Sequence, residues 1–372
     1  MRAGFAILFA ASTALAQQPA RWRLVEEWRV GGAVEGPHSF GDIRGMAIMP
    51  DGRIVLVDYK DEQVHFLDAK GQPVRTTGRK GEGPGEYAQA NGLAVSANGT
   101  VIVNDPGNNR FTLLAPNGDF IKTIPILNRW GYGYTWDGYY NAAGLVDEYV
   151  SVRRPGETET SSHRRVWSAD FSKIDTVKTT VCPSGPRSNP DDFTYAFRGA
   201  TGSMMMSIPF VSPALPSVRS HAGATWAGRY PGYGTIEHTP AGKCQPDITI
   251  QLRREQIAIP SVIRDSQVES VRRNAARYST IAPDVGKIPR VFPSYDALVL
   301  DATQRLWVNR PVDAKARRFE VFSPAGVLLA DVETPVVFRS YLPIIIANDR
   351  VLGFVADEDD VLHLMSFRIV RS

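Results

Sequence analysis

An echo with a step of 47 residues near the start of the chain constrains its fold more than any other feature. Gly45-Met-Ala-Ile-Met-Pro-Asp-Gly52 returns as Gly92-Leu-Ala-Val-Ser-Ala-Asn-Gly99, and Asp58, Leu67 and Gly71 return as Asp105, Leu114 and Gly118. The step also runs backward, so that Gly31, Glu35, Gly36, Pro37, Phe40 and Gly45 foreshadow Gly78, Glu82, Gly83, Pro84, Tyr87 and Gly92. A period of about 40 to 50 residues made of short strands and turns marks a β-propeller blade, a small sheet that must stack on its neighbours to bury its faces. The expected class is therefore all-β, with four-stranded antiparallel blades.

Alternation and turn chemistry place strands near 44–49, 53–58, 63–68 and 73–77 in the first blade, and near 91–96, 100–104, 109–115 and 119–124 in the second. Later blades drift from the pattern. A third is expected to use 145–153, 165–170 and 174–181, with its inner strand within 136–143. A fourth is expected to run from Ser203 to about Ile250. Val268, Val271, Ala275 and Tyr278 recur at helical spacing among charged residues, which predicts one short helix in an insertion over about 255–285. A fifth blade resumes with 298–301, 305–308 and 319–322.

The C-terminus offers only three further strands, near 342–347, 351–355 and 362–370. Trp22 to Val30 precedes Gly31 as Val74 to Thr77 precedes Gly78, so by register it is an outer strand without a blade of its own. Pairing it with the C-terminal strands makes six blades and closes the ring, removing an unpaired edge that would leave backbone groups unsatisfied.

Arg2, the apolar run Ala3 to Ala10 and the small-x-small pattern Ala14-Leu-Ala16 read as a signal peptide over residues 1–16. Residues 17–372 are then a single propeller domain, periplasmic or secreted. The apolar run is too short to span a bilayer, and no later segment is long and apolar enough. The formal charge of +3 is small and scattered, which gives no support for nucleic-acid binding; a monomer is expected. Cys182 and Cys244 are the only cysteines. In an oxidising compartment they either pair, at roughly 4 kcal/mol of chain-entropy stabilisation, or stay as two separate buried thiols.

The run Gly52-Arg-Ile-Val-Leu-Val-Asp58, the loop Gly78-Arg-Lys-Gly-Glu-Gly-Pro-Gly-Glu-Tyr87 and Asp105-Pro-Gly-Asn-Asn-Arg110 resemble NHL repeats of bacterial secreted six-bladed β-propellers. The resemblance is good over 28–124, weaker over 290–334 and nearly absent over 130–285. It implies the fold. It does not choose a function, since proteins with such repeats include lyases, lactonase-like enzymes and binding scaffolds.

In an up-and-down blade, the first-to-second and third-to-fourth turns share one end. The second-to-third loops and the inter-blade crossings share the other. The tight Asp51-Gly52 and Asn98-Gly99 turns fall on the first end, and the longer, chemically richer loops on the second, where function usually resides. Residues that recur with the blade, such as Asp58, Asp105 and Arg110, are expected to hold loop backbone in place. The glycine-rich loop 78–85 lacks the order of a phosphate cradle.

The candidate ligand-binding residues lie where the echo fails. Trp130, Tyr132, Tyr134 and Trp136 crowd the entry to the third blade, and Arg229, Tyr230 and Tyr233 belong to the fourth; Arg153, Arg154 and Arg310 add cations suited to carboxylates. The six histidines show no short metal-ligand spacing, and no G-x-S-x-G elbow is present. The expectation is a propeller that binds a carbohydrate, peptide or protein through its loop-rich face, with no cofactor and no metal. The alternative is a propeller enzyme, a metal-dependent lactonase-like hydrolase or a lyase, with Ca or Zn at the channel mouth.

Overall fold

The computed structural model describes residues 18–32, 39–126, 135–152, 161–179, 194–199, 202–207, 216–229, 234–252, 255–278, 283–313 and 315–371. The expected signal peptide lies outside the described residues. A long N-terminal strand, β1 (Ala20–Gly31), precedes the first blade, β2 (Ile43–Ile48), β3 (Ile54–Asp58), β4 (Gln63–Leu67) and β5 (Pro73–Thr77). The second blade is β6 (Leu93–Val95), β7 (Val101–Asp105), β8 (Arg110–Leu114) and β9 (Phe120–Pro125). The third is β10 (Tyr139–Tyr140), β11 (Val146–Val152), β12 (Ser161–Trp167) and β13 (Ile174–Lys178).

A hairpin of β14 (Thr194–Gly199) and β15 (Gly202–Ser207) follows, its strands paired with each other in a separate two-stranded sheet. The fourth blade is β16 (Ser217–Arg219), β17 (Thr225–Arg229), β18 (Thr235–Thr239) and β19 (Ile248–Gln251). Helix α1 (Ser261–Tyr278) comes next, and the fifth blade is β20 (Ala297–Leu300), β21 (Leu306–Pro311), β22 (Arg317–Phe322) and β23 (Leu328–Glu333). The last blade combines β24 (Ile345–Ala347), β25 (Arg350–Ala356) and β26 (Leu362–Arg371) with β1 as its outer strand. The chain is thus a six-bladed propeller.

Ring closure is double. β1 pairs antiparallel with β26 from Trp22↔Arg371 to Gly31↔His363, with a register shift between Glu26 and Trp28. Its first residues, Ala20 to Arg23, also pair in parallel with Ala330 to Glu333 of β23. The closing strand therefore joins the last two blades as well as completing one of them.

The echo has a steric cause. A Cβ on Gly45 would lie 3.0 Å from the Leu93 backbone nitrogen, and one on Gly92 would lie 2.8 Å from the Trp136 carbonyl oxygen. Inner strands converge on the axis, so the start of each of these two must be bare for the next blade to approach.

Two expected blade boundaries are corrected. The third strand of blade three is 161–167 rather than 165–170, because His163 and Arg165 are buried polar residues that hide the usual apolar alternation. Residues 168–171 instead form a turn, with Asp170 accepting from the Ser172 amide. Blade four begins at Ser217 and not Ser203, since 202–207 belongs to the separate hairpin. The helix expectation matches: Val268, Val271 and Ala275 are buried on one side of α1.

Blade-to-blade seams hold the core. Apolar clusters fill the contacts of blades five and six around Trp307 and Phe367, six and one around Leu56 and Phe354, and one and two around Phe66 and Val103. Others fill blades four and five around Trp226 and Leu306, and two and three around Phe111 and Trp167. Among the described residues the seam between blades three and four has no such cluster.

Candidate functional site at the seam of blades three and four

The loop residues that recur with the blade do serve the backbone. Asp58 is fully buried and accepts from the amides of Gly41, Asp42, Lys60 and Asp61. Asp105 accepts from the amides of Ala88 and Gln89, and Arg110 donates to the carbonyls of Glu82, Gly83 and Glu86 in the glycine-rich loop. These groups pin the crossing loops and leave little free valence for a ligand.

Trp130, Tyr132, Tyr134, Arg153, Arg154, Tyr230 and Tyr233 lie outside the described residues, as does the side chain of Arg229. Two candidates can be placed. Trp136 is half-buried between blades two and three: its ring lies 5.2 Å from that of Phe111, and its indole N–H donates to Glu148 at 2.7 Å. Glu148 also accepts from the Trp167 indole and pairs with Arg165, so Trp136 belongs to a buried polar knot. Arg310 sits on the face of blade five that turns toward blade four, paired with Glu320 at 3.0 Å. Cys244 is disulfide-bonded, and Cys182 lies outside the described residues.

The seam between blades three and four is built differently from the rest. On β10, Tyr139 is buried. Its ring stacks on His221 at 4.0 Å and 5°, and its hydroxyl donates to the His221 carbonyl. Across the pair from Tyr139 stands Asp147 of β11, fully buried and gripped by both Nε and Nη2 of Arg164 on β12. Beside them the Arg219 guanidinium lies 4.3 Å over the Tyr149 ring and 3.5 Å from Asp137. Arg219 and His221 come from the end of β16 and the turn after it, so the first hairpin of blade four rests on the inner strands of blade three.

Tyr139 and Asp147 form the floor, whereas Asp137, Arg164, Arg219 and His221 keep an open side to solvent. Crowding by protein raises the Tyr139 hydroxyl to about 12, with Asp147 adding to the effect. The same crowding holds the His221 imidazole below its ordinary value against the pull of Asp147, so the ring is neutral near pH 7. It also raises the Asp137 carboxyl, which Arg219 opposes. The seam thus offers cations, a carboxyl and a neutral imidazole over an aromatic floor. Such a set can hold hydroxyls and carboxylates of a polar ligand.

Sequence reading did not single out Asp147, Arg164, Arg219 or His221. A usable signal exists in Asp147-Glu148 and Arg164-Arg165, opposite charges within two neighbouring strands that pair Asp147↔Val166 and Glu148↔Arg165. Among the described residues no group of three or more His, Cys, Asp or Glu side chains gathers as a metal site, and no helix is long and apolar enough to cross a membrane.

A family model described as a 6-bladed beta-propeller, DUF5128, matches residues 39–125, the two blades in which the echo is clearest. No match was found among curated proteins. Among solved structures, a DUF4221 family member from Bacteroides vulgatus is 9% identical, with 95% of this chain and 100% of that chain covered at a TM-score of 0.47. Virginiamycin B lyase from Staphylococcus aureus is 12% identical, with 93% and 99% covered at 0.46. A gluconolactonase from Xanthomonas campestris is 13% identical, with 88% and 87% covered at 0.42.

Proposed function

We propose that this chain is an exported, NHL-repeat-like propeller that binds a carbohydrate, and that the polar seam between blades three and four is where the ligand docks. The observation that carries the reading is the substitution, at this one seam among the described residues, of charged and aromatic groups for the apolar filling found at the others. Propeller packing needs apolar seams, and open polar groups there add little to stability. Arg219 over the Tyr149 ring and Arg164 locked to Asp147 are held in place before any ligand arrives, which lowers the ordering cost of binding. Arg164 is taken up by Asp147, but Arg219 makes only a loose 3.5 Å contact with Asp137, and this guanidinium favours sugars that carry a carboxylate, such as uronates. Export is supported by the signal-like residues 1–16 and by the disulfide at Cys244, for which Cys182 is the partner available in the chain.

A glycan array followed by calorimetry tests this. Uronate-bearing glycans should bind, and Arg219→Ala should weaken them at least tenfold without changing the fold. Peptide binding with no glycan binding would move the ligand class.

The neutral His221 beside Tyr139 and Asp147 favours a second reading, a propeller lyase or hydrolase with His221 as a base. It requires turnover of a bound glycan or lactone that His221→Ala abolishes. Binding without turnover rejects it.

A further inference from the structure

The charged groups of the polar seam form two pairs of different quality. Asp147 is fully buried and gripped by both Nε and Nη2 of Arg164, so that pair is closed to a ligand. Arg219 and Asp137 make the other pair. Their close approach is Nη1 to Oδ2 at 3.5 Å, longer than the about 2.7–2.9 Å of a charge-assisted hydrogen bond, and both side chains are about half exposed.

Asp137 stands where the first two blades carry glycine. The turn amides of Gly52, Gly99 and Gly144 donate to the carbonyls of Met49, Ser96 and Asn141, and counting back from these turns sets Gly45, Gly92 and Asp137 at the same place on three inner strands. At Gly45 and Gly92 the next blade comes too close for a side chain. In blade three the place holds a carboxylate, and the next blade meets it with Arg219.

The chain around Asp137 is anchored. The Trp136 amide donates to the Asn91 carbonyl at 2.9 Å, and its indole donates to Glu148 at 2.7 Å. Gly138 passes under the Trp136 ring, where a Cβ would run into Cζ2, and Tyr139 is buried against His221. Only the side-chain torsions of Asp137 are left free to move its carboxylate. Arg219 lies over the Tyr149 ring at 4.3 Å, a contact that does not depend on Asp137. The guanidinium therefore keeps its place when the carboxylate swings away.

Resting on the carbohydrate reading of this seam, we propose that Asp137 is its specificity-determining residue, and that docking exchanges one carboxylate for another on Arg219. A ligand carboxylate that makes two short hydrogen bonds to the guanidinium displaces the loose contact with Asp137. A neutral sugar leaves the pair as it stands. Asp137 thus weakens the binding of uronates by the worth of an exposed ion pair, a factor of about two to five.

Calorimetric titration of the full chain at low salt tests this. The probes are trisaccharides of glucuronate and galacturonate and their carboxyl methyl esters, which keep the sugar and lose the charge. Asp137→Asn should tighten the uronate at least twofold relative to its ester, and Asp137→Ala serves if the asparagine variant does not fold. In an Arg219→Ala background the same substitution should leave that ratio unchanged. Suppose a uronate binds the parent chain and is weakened by Arg219→Ala. An unchanged or lowered ratio in Asp137→Asn, a gain shared equally by the ester, or a gain that persists without Arg219 would then overturn the exchange and leave the binding reading standing. Failure of both uronates to bind the parent would remove the two together.

Discussion

Asp58 and Asp105 meet the same demand in two blades: a crossing loop brings several backbone N–H groups inward, away from water, and a single carboxylate accepts them. Because Asp58 takes four amides in a fully buried position, Asp58→Ala should destabilise the fold by about 3 kcal/mol, measured as a shift in urea unfolding. Asp58→Asn, which keeps one acceptor oxygen, should lose less. An unchanged midpoint for the alanine variant would mean that water reaches those amides. At this scale repetition was a reliable guide, since residues that recur with the blade hold the blade. Residues that do not recur were harder to read. Arg165 looks like a surface cation in sequence, yet it is buried against Glu148, because its counter-charge sits on the neighbouring strand and not nearby in the chain.

Among the elements, β1 has the most leverage. It gives the last blade its fourth strand and also ties into the fifth blade through Ala20 to Arg23. Removing residues 18–31 should expose both the β26 and the β23 edges and the cluster around Trp22 and Leu24, so cooperative urea unfolding should be lost. A peptide of residues 18–31 added in trans should restore it. A truncated chain that unfolds at the parental midpoint would refute the role assigned to the strand. The closing pair with the C-terminal strands was legible from the 47-residue register. The parallel contact with β23 was not, since it depends on how close the outer edges of two blades come once the ring is formed. The hairpin β14–β15 was also missed, because strand-like alternation does not say whether a strand joins a blade.

For the whole molecule, apolar and polar seams divide stability from recognition. Phe66→Ala, in the fully buried seam of blades one and two, should cost about 3–5 kcal/mol in urea unfolding. Arg219→Ala, at the half-exposed polar seam, should cost less than about 1 kcal/mol. Equal losses at the two positions would mean that the polar seam is a structural joint rather than a place kept open for a ligand. By itself the sequence determined the repeat, the four-stranded blade, the helix over 261–278 and the strand that seals the ring. All of these follow from local periodicity and steric demands that recur at a fixed step. Only the tertiary structure decided where chemistry could gather: Tyr139, Asp147, Arg164, Arg219 and His221 are spread over more than 80 positions of chain. What brings them together is the packing of one blade's first turn against the inner strands of the blade before it. The echo located the scaffold, and the break in it marked the stretch that departs from the scaffold. Contacts between blades have no period in the sequence, so the seam became visible only once the ring was closed.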